Sequence, residues 1–183
     1  MMRFPKPYAD AVMRLRVPSG FLIVLVFAWF SHPTVLSLEI GLPVALVGLA
    51  LRAWAAGCLA KNRELATSGP YAYSRNPLYL GTLIVAAGLS IAACSWGLGA
   101  LFLAVFLFVY LPVIQNESEH LHHLFADYAS YSAAVPLLLP RFTPYRGRIS
   151  NPFTWALYLK NQEYNAGVGL TAGMLFLLWK LVH

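Results

Sequence analysis

The sequence predicts an all-α, polytopic membrane protein of about five transmembrane helices, and three observations predict it. Of 183 residues, 59% are hydrophobic and only 11% charged, whereas soluble domains carry roughly 25% charged residues. The apolar residues collect in runs near the ~20 residues that a bilayer-spanning helix needs. The connecting segments alternate between basic and lacking Lys or Arg. The net charge of +6 therefore marks topology and contacts with anionic headgroups. It does not mark a nucleic-acid partner, because the basic residues lie between apolar runs and not on one soluble face. The length suits a single domain, residues 1–183.

The first apolar run is Gly20 to about Leu38, interrupted by Ser31-His32-Pro33. Arg3, Lys6, Arg14 and Arg16 precede it. No small-x-small cleavage site follows, so it reads as a retained anchor and not as a signal peptide. The second run is Gly41 to about Ala60, and Lys61, Arg63 and Arg75 follow it. The third is Leu78 to about Cys94 and the fourth is Gly97 to about Gln115. Only Ser95-Trp96 separates these two, which predicts a tight antiparallel helical hairpin. The fifth is about Ala166 to Val182, preceded by Arg141, Arg146, Arg148 and Lys160. The positive-inside rule then places the N-terminus in the cytoplasm and the C-terminus outside.

A long polar segment, Asn116 to Asn165, joins the last two runs. In it Glu117, His120, Leu121, Leu124 and Tyr128 recur at helical spacing, which predicts that the fourth helix continues to about Ala133, with a bend. Pro136, Pro140 and Pro144 break the chain into an extended stretch. Asn151-Pro152-Phe153-Thr154-Trp155 starts a short interfacial helix, with Trp155 and Tyr158 as interface anchors.

The residues with chemistry to offer are few. Ser68-Gly69-Pro70-Tyr71-Ala72-Tyr73-Ser74-Arg75-Asn76-Pro77-Leu78-Tyr79-Leu80-Gly81 is a polar, Gly- and Pro-punctuated hinge between two apolar runs. Polar backbone at a bilayer is tolerated only where it is buried in protein or lines a cavity, so the hinge is a candidate site. Arg52 lies inside the second apolar run, where a cation faces a partner or a wet cavity, or snorkels to the interface. Glu117 shares a helix face with His120 and Leu121, while Glu119 points about 200° away. Glu117 therefore has the better claim on a pocket. Glu119, His120, His122 and His123 invite a metal reading, but a helical Glu-x-x-His site needs further acids on other helices, so no metal is expected. Cys58 and Cys94 match no redox or metal spacing and read as buried small hydrophobes. Gly169 and Gly173, four apart on the last helix, offer a weak oligomer contact.

Three blocks occur in order. The first is Gly48-x-x-x-Arg52-x-Trp54-x-x-Gly57, followed by Leu65-Ala66-Thr67-Ser68-Gly69-Pro70-Tyr71. The second is Arg75-Asn76-Pro77-Leu78-Tyr79-Leu80-Gly81. The third is Glu117, then Leu121, Phe125, Tyr128, Tyr131 and Val135-Pro136. Together they resemble the isoprenylcysteine carboxyl methyltransferase and phospholipid methyltransferase superfamily of integral membrane enzymes. The likeness covers about Leu42 to Arg141 and leaves the helix at 166–182 outside it. The resemblance implies an S-adenosylmethionine (AdoMet) pocket facing the cytoplasm and a lipidic or small hydrophobic methyl acceptor. It assigns the cofactor to Arg63, Glu64, Leu65, Ala66, Tyr71, Asn76, Pro77, Leu78, Tyr79 and Glu117. It implies catalytic roles for Arg75 and Glu117, with Arg75 and Arg52 as the cations for an anionic substrate group. The chain departs from the family pattern in Asn76, where His is frequent, and in Ser118, where a second Glu is frequent. Val113 stands where the prenylcysteine enzymes carry a substrate-binding Arg. Two other classes stay open: an NADPH-dependent membrane reductase using Arg63, Arg75, Arg141 and Arg146, and a non-enzymatic membrane scaffold.

Overall fold

The structure is a computed structural model that describes residues 6–147 and 152–183. Arg3, Arg148 and Asn151 lie outside the described residues, as do the side chains of Lys6, Arg14 and Arg16. Among the described residues every regular element is helical: α1 (Lys6–Phe30), α2 (Val35–Gly57), α3 (Pro77–Ala92), α4 (Trp96–Val105), α5 (Leu111–Leu124), α6 (Tyr128–Ala134), α7 (Trp155–Lys160) and α8 (Tyr164–Val182). Three stretches are long and apolar enough to cross a membrane: Val35–Gly57, Trp96–Leu124 and Tyr164–Val182. Gly20–Phe30 and Pro77–Ala92 are shorter apolar helices. The protein is an all-α integral membrane protein.

One boundary differs from the sequence expectation. Val35 to Leu38, expected to finish the first span, open α2 instead. Thr34 is extended (φ −119°, ψ 163°) and caps the new helix. Its Oγ1 accepts from the Ser37 N–H at 3.1 Å, and Ser37 Oγ accepts from the Thr34 N–H at 2.8 Å. This reciprocal capping box starts a helix as firmly as Pro33 ends one.

α2 and α3 pack along a seam of small residues. A Cβ added at Gly41 would lie 2.5 Å from the Gly88 carbonyl oxygen, and one at Gly48 would lie 2.7 Å from that of Gly81. Only glycine permits this approach, and it holds Arg52 against the first turns of α3. Around the seam lies a core that includes Ala45, Ala92, Leu98, Leu170, Met174 and Leu177. The turn from α3 to α4 is as tight as expected. Within it, however, Cys94 takes a left-handed φ of 51° and is exposed, whereas Cys58 is buried. The expectation that both cysteines are buried fails for Cys94 because the turn directs its side chain outward.

α4 runs into α5 through one π-helical stretch, Phe106–Tyr110. The cause is Pro112: an α-helix would need its missing N–H to satisfy the Phe108 carbonyl. Tyr8 Oη donates to that carbonyl instead, at 2.7 Å. α5 then ends at Phe125, which is extended (φ −126°, ψ 119°), and α6 turns away. This is the bend anticipated past the membrane, and Ser118 Oγ and Tyr128 Oη, 2.8 Å apart, clasp it.

The C-terminal part is tied to the rest at both ends. Asn161 Nδ2 donates to the carbonyls of Ala56 (2.9 Å) and Leu59 (3.0 Å), which satisfies the C-terminal end of α2. Lys180 Nζ donates to the Ala28 carbonyl at 2.7 Å at the C-terminal end of α1. α8 therefore runs with α1 and against α2. Thr154 Oγ1 accepts from the Leu157 N–H and starts α7 where the sequence placed a short helix. Gly173 packs on Leu89 of α3, and a side chain at Gly169 would meet nothing within 4 Å.

Candidate functional site

The hinge is folded, not loose. Gly69 takes φ +57°, which an L-residue adopts at a cost, and opens a short 3-10 turn over Gly69–Ala72. The proline-rich stretch after α6 then runs back along it. The Arg75 N–H donates to Pro136 O at 3.0 Å, the Arg141 N–H to Tyr73 O at 2.9 Å, and the Tyr145 N–H to Ala72 O at 2.9 Å. Side chains complete the join: Asn76 Nδ2 donates to Leu137 O (2.9 Å) and Ser74 Oγ to Leu138 O (2.8 Å). Asn76 thus spends an amide hydrogen on the main chain, which a backbone near a bilayer requires.

From this platform α3 starts at Pro77, whose missing N–H costs nothing in a first turn. Its first turn presents Tyr79 toward α5. Tyr79 Oη donates to Glu117 Oε2 at 3.1 Å in an exposed setting. The Tyr110 ring, carried by the π-helical stretch, meets the Tyr79 ring edge-on at 5.9 Å. The hinge and the acid of the third block are therefore in direct contact.

An open cavity of about 390 Å³ lies between the segment after α2 and the α5–α6 bend, and neither Tyr79 nor Glu117 lines it. Arg63, Glu64, Leu65 and Thr67 form one wall. The α5–α6 bend forms the other with Phe125, Asp127 and Tyr131, and Tyr145 closes one side. Tyr131 Oη donates to Tyr71 O at 2.8 Å, so the cavity wall is bonded to the hinge. Burial, and then neighbouring phenols, raise the pKa of both Tyr71 and Tyr131 well above the ordinary tyrosine value, although Arg75 opposes the shift at Tyr131. Both stay protonated at neutral pH. Arg75 lies close enough to exert that effect, and its buried Nε makes no hydrogen bond among the described residues. A buried donor left unspent is uncommon.

Arg52 is engaged elsewhere. Its Nε donates to Glu163 Oε1 at 2.5 Å in an ion pair with a side-chain exposure of 23% for Arg52 and 8% for Glu163. Its Nη1 also donates to Thr82 Oγ1 and lies 3.4 Å from Leu78 O. Of the sequence candidates, Arg63, Glu64 and Leu65 meet at the cavity, and Tyr79 and Glu117 meet across α3 and α5. Ala66, Tyr71 and Leu78 pack together beneath them. Pro77 is buried and Val113 lies in the core. Glu119 is exposed, and the His122 ring packs edge-on against Tyr128 at 4.6 Å. Among the described residues no three His, Cys, Asp or Glu side chains gather as metal ligands.

Sequence reasoning missed Glu163, Asn161, Asp127 and Tyr145. Glu163 carries one legible signal, being the last acid before a long apolar run that holds no other. Tyr145 and Asn161 lie in polar segments without periodicity, where spacing points nowhere.

The fold and hinge define a helical membrane protein. Residues 45–128 match the phospholipid methyltransferase family. Over 140 residues the chain is 34% identical to the cobalt-zinc-cadmium resistance protein CzcN of Cupriavidus metallidurans, covering 75% of this chain and 61% of the relative. Over 120 residues it is 31% identical to the nickel-cobalt-cadmium resistance protein NccN of Alcaligenes xylosoxydans xylosoxydans, covering 64% of this chain and 55% of the relative. The chain thus spans only part of these relatives' length. No solved structure is significantly similar to it.

Proposed function

We propose that the protein is an AdoMet-dependent methyltransferase of the membrane, acting on a lipidic or small hydrophobic acceptor. The observation that carries this reading is the contact of Tyr79 with Glu117, which joins the hinge to the acid of the third block; a cavity walled by Arg63, Glu64 and Leu65 supports it. AdoMet supplies the activated methyl group and its sulfonium when bound. The residues present suit it. The Glu117 carboxylate would pair with an ammonium, and the Arg75 guanidinium with a carboxylate. Main-chain groups of residues 63–66 would bond a base or ribose. The faces of Tyr79 and Tyr110 would attract positive charge.

For the transfer itself the chain has mainly to align and to exclude water. Arg75 and Glu117 would fix the reacting groups in line, while the clasped α5–α6 bend would hold one wall of the pocket. Asn76, with its amide spent on Leu137, serves the pocket as scaffold and does not move a proton. The acceptor's hydrocarbon part would stay in the bilayer. The active site and N-terminus would face the cytoplasm and the C-terminus the outside, so a reporter fused after His183 should read as external. The relatives' names place them in resistance to cobalt, zinc, nickel and cadmium, and metal tolerance is the phenotype to score in a deletion strain.

Calorimetry tests the reading directly. The purified protein should bind AdoMet, and Glu117→Ala should abolish or greatly weaken that binding. Mass spectrometry of lipids and small thiols from cells fed methyl-labelled methionine should show one class gaining a labelled methyl only when the protein is present. No AdoMet binding by the wild type ends the assignment. NADPH binding in its place would favour a reductase.

A further inference from the structure

Glu163 lies outside the family-matched residues 45–128, in the segment that leads into α8, yet its partner Arg52 lies inside them. The acid is almost wholly buried, with a side-chain exposure of 8%. A lone carboxylate there would be costly, and Arg52 offsets it. The arginine does more than neutralise. One end of its planar fork holds Glu163, while Nη1 reaches the Leu78 carbonyl and the Thr82 hydroxyl. Thr82 Oγ1 donates in turn to Leu78 O at 2.9 Å. Residues 78 and 82 are one turn apart on one face of α3, and Tyr79 projects about 100° round the helix from them. Gly81 lets this happen: a Cβ there would lie 2.5 Å from Arg52 Cγ.

We propose that Arg52 and Glu163 are positioning residues for the AdoMet site. The pair fixes the azimuth of the first turns of α3 from one side, and so sets Tyr79 against Glu117 on another. The C-terminal segment thereby becomes part of the site's scaffold, although none of its described residues from Pro152 onward lines the cavity. This inference rests on the AdoMet reading for its binding arm but not for its structural arm.

The test uses full-length protein in detergent, with Glu163→Gln, Arg52→Gln and the double variant Arg52→Met/Glu163→Met. In each single variant the amides of residues 80–83 should exchange with deuterium about tenfold faster, while those of α4 and α5 keep their protection. AdoMet dissociation constants by calorimetry should rise roughly five- to tenfold. The double variant removes both charges and restores apolar packing, a change that is often neutral or stabilising. It should regain the wild-type melting temperature and still bind AdoMet weakly. If the double variant regains both stability and affinity, the pair is only a structural tie and the proposal falls. It falls equally if exchange at residues 80–83 is unchanged, or rises no more than in the rest of the chain. Failure of the wild type to bind AdoMet would end the methyltransferase reading, while the exchange pattern would still decide this one.

Discussion

Two carboxylates in this molecule each meet a partner across a helix pair, and their settings are opposite. Glu163 is buried and ion-paired to Arg52 between α2, α3 and the start of α8. Glu117 is exposed and accepts one hydrogen bond from Tyr79 between α3 and α5. The buried acid already has a full counter-charge, so its contribution goes into the fold. The exposed acid has a neutral partner, and its charge remains available to a cation arriving from outside. Burial and partner charge, more than residue type, separate scaffold from site. The comparison also explains why α3 is held so closely by α2, for both acids act through that one helix.

The largest expected effect breaks the closed pair. Arg52→Ala leaves Glu163 buried without a counter-charge, which costs about 3–5 kcal/mol. The melting temperature of the detergent-solubilised protein should fall accordingly, and Glu163→Ala should fall with it. Next comes the open acid. Glu117→Ala should leave the melting temperature within a degree or two, because a single exposed hydrogen bond contributes little. Its AdoMet dissociation constant should rise roughly 10- to 100-fold, the range of a charge-assisted contact. A variant at Glu117 that unfolds the protein, or one at Arg52 that leaves it fully stable, would reverse the assignment of the two acids.

The helices themselves were legible in the sequence because a bilayer imposes length and hydropathy on any spanning segment. The helical continuation past the membrane and the short helix at Trp155 were also legible, from periodicity and from Asn151-Pro152-Phe153-Thr154-Trp155, but the place of the break after Leu124 was not. The start of α2 was not, since Val35 to Leu38 are as apolar as the span before them. Only the Thr34–Ser37 capping box divides the two. On the site side, the resemblance carried by the ordered blocks assigned Tyr79 and Glu117 to one site, but not the hydrogen bond between them. Arg52 was visible as a charge in an apolar run, but its partner lies 111 residues away, and no local pattern links them. The buried or exposed state of Cys94 depended on one left-handed turn, which composition does not report.

A smaller effect tests the platform beneath the open acid. Asn76→Ala removes the amide bond to the Leu137 carbonyl at 2.9 Å. The loss should be about 1 kcal/mol, the net value of one such bond. It should loosen the stretch after Pro136, seen as faster exchange of the Leu137 and Leu138 amides, without moving the Arg52–Glu163 side of α3.

The smallest effect is the most discriminating. Tyr79→Phe keeps the aromatic face beside Tyr110 and deletes only the hydroxyl that bonds Glu117. If that hydroxyl only orients an acid whose charge does the binding, AdoMet affinity should fall about threefold, well short of the loss in Glu117→Ala. Tyr79→Leu, which also removes the ring face, should cost several-fold more, because attraction of a sulfonium to an aromatic face is worth roughly 0.5–2 kcal/mol. Calorimetry on the two variants separates hydroxyl from ring. Equal losses in Tyr79→Phe and Glu117→Ala would mean that the two groups act as one unit, and that the exposed acid depends on its partner no less than the buried one does.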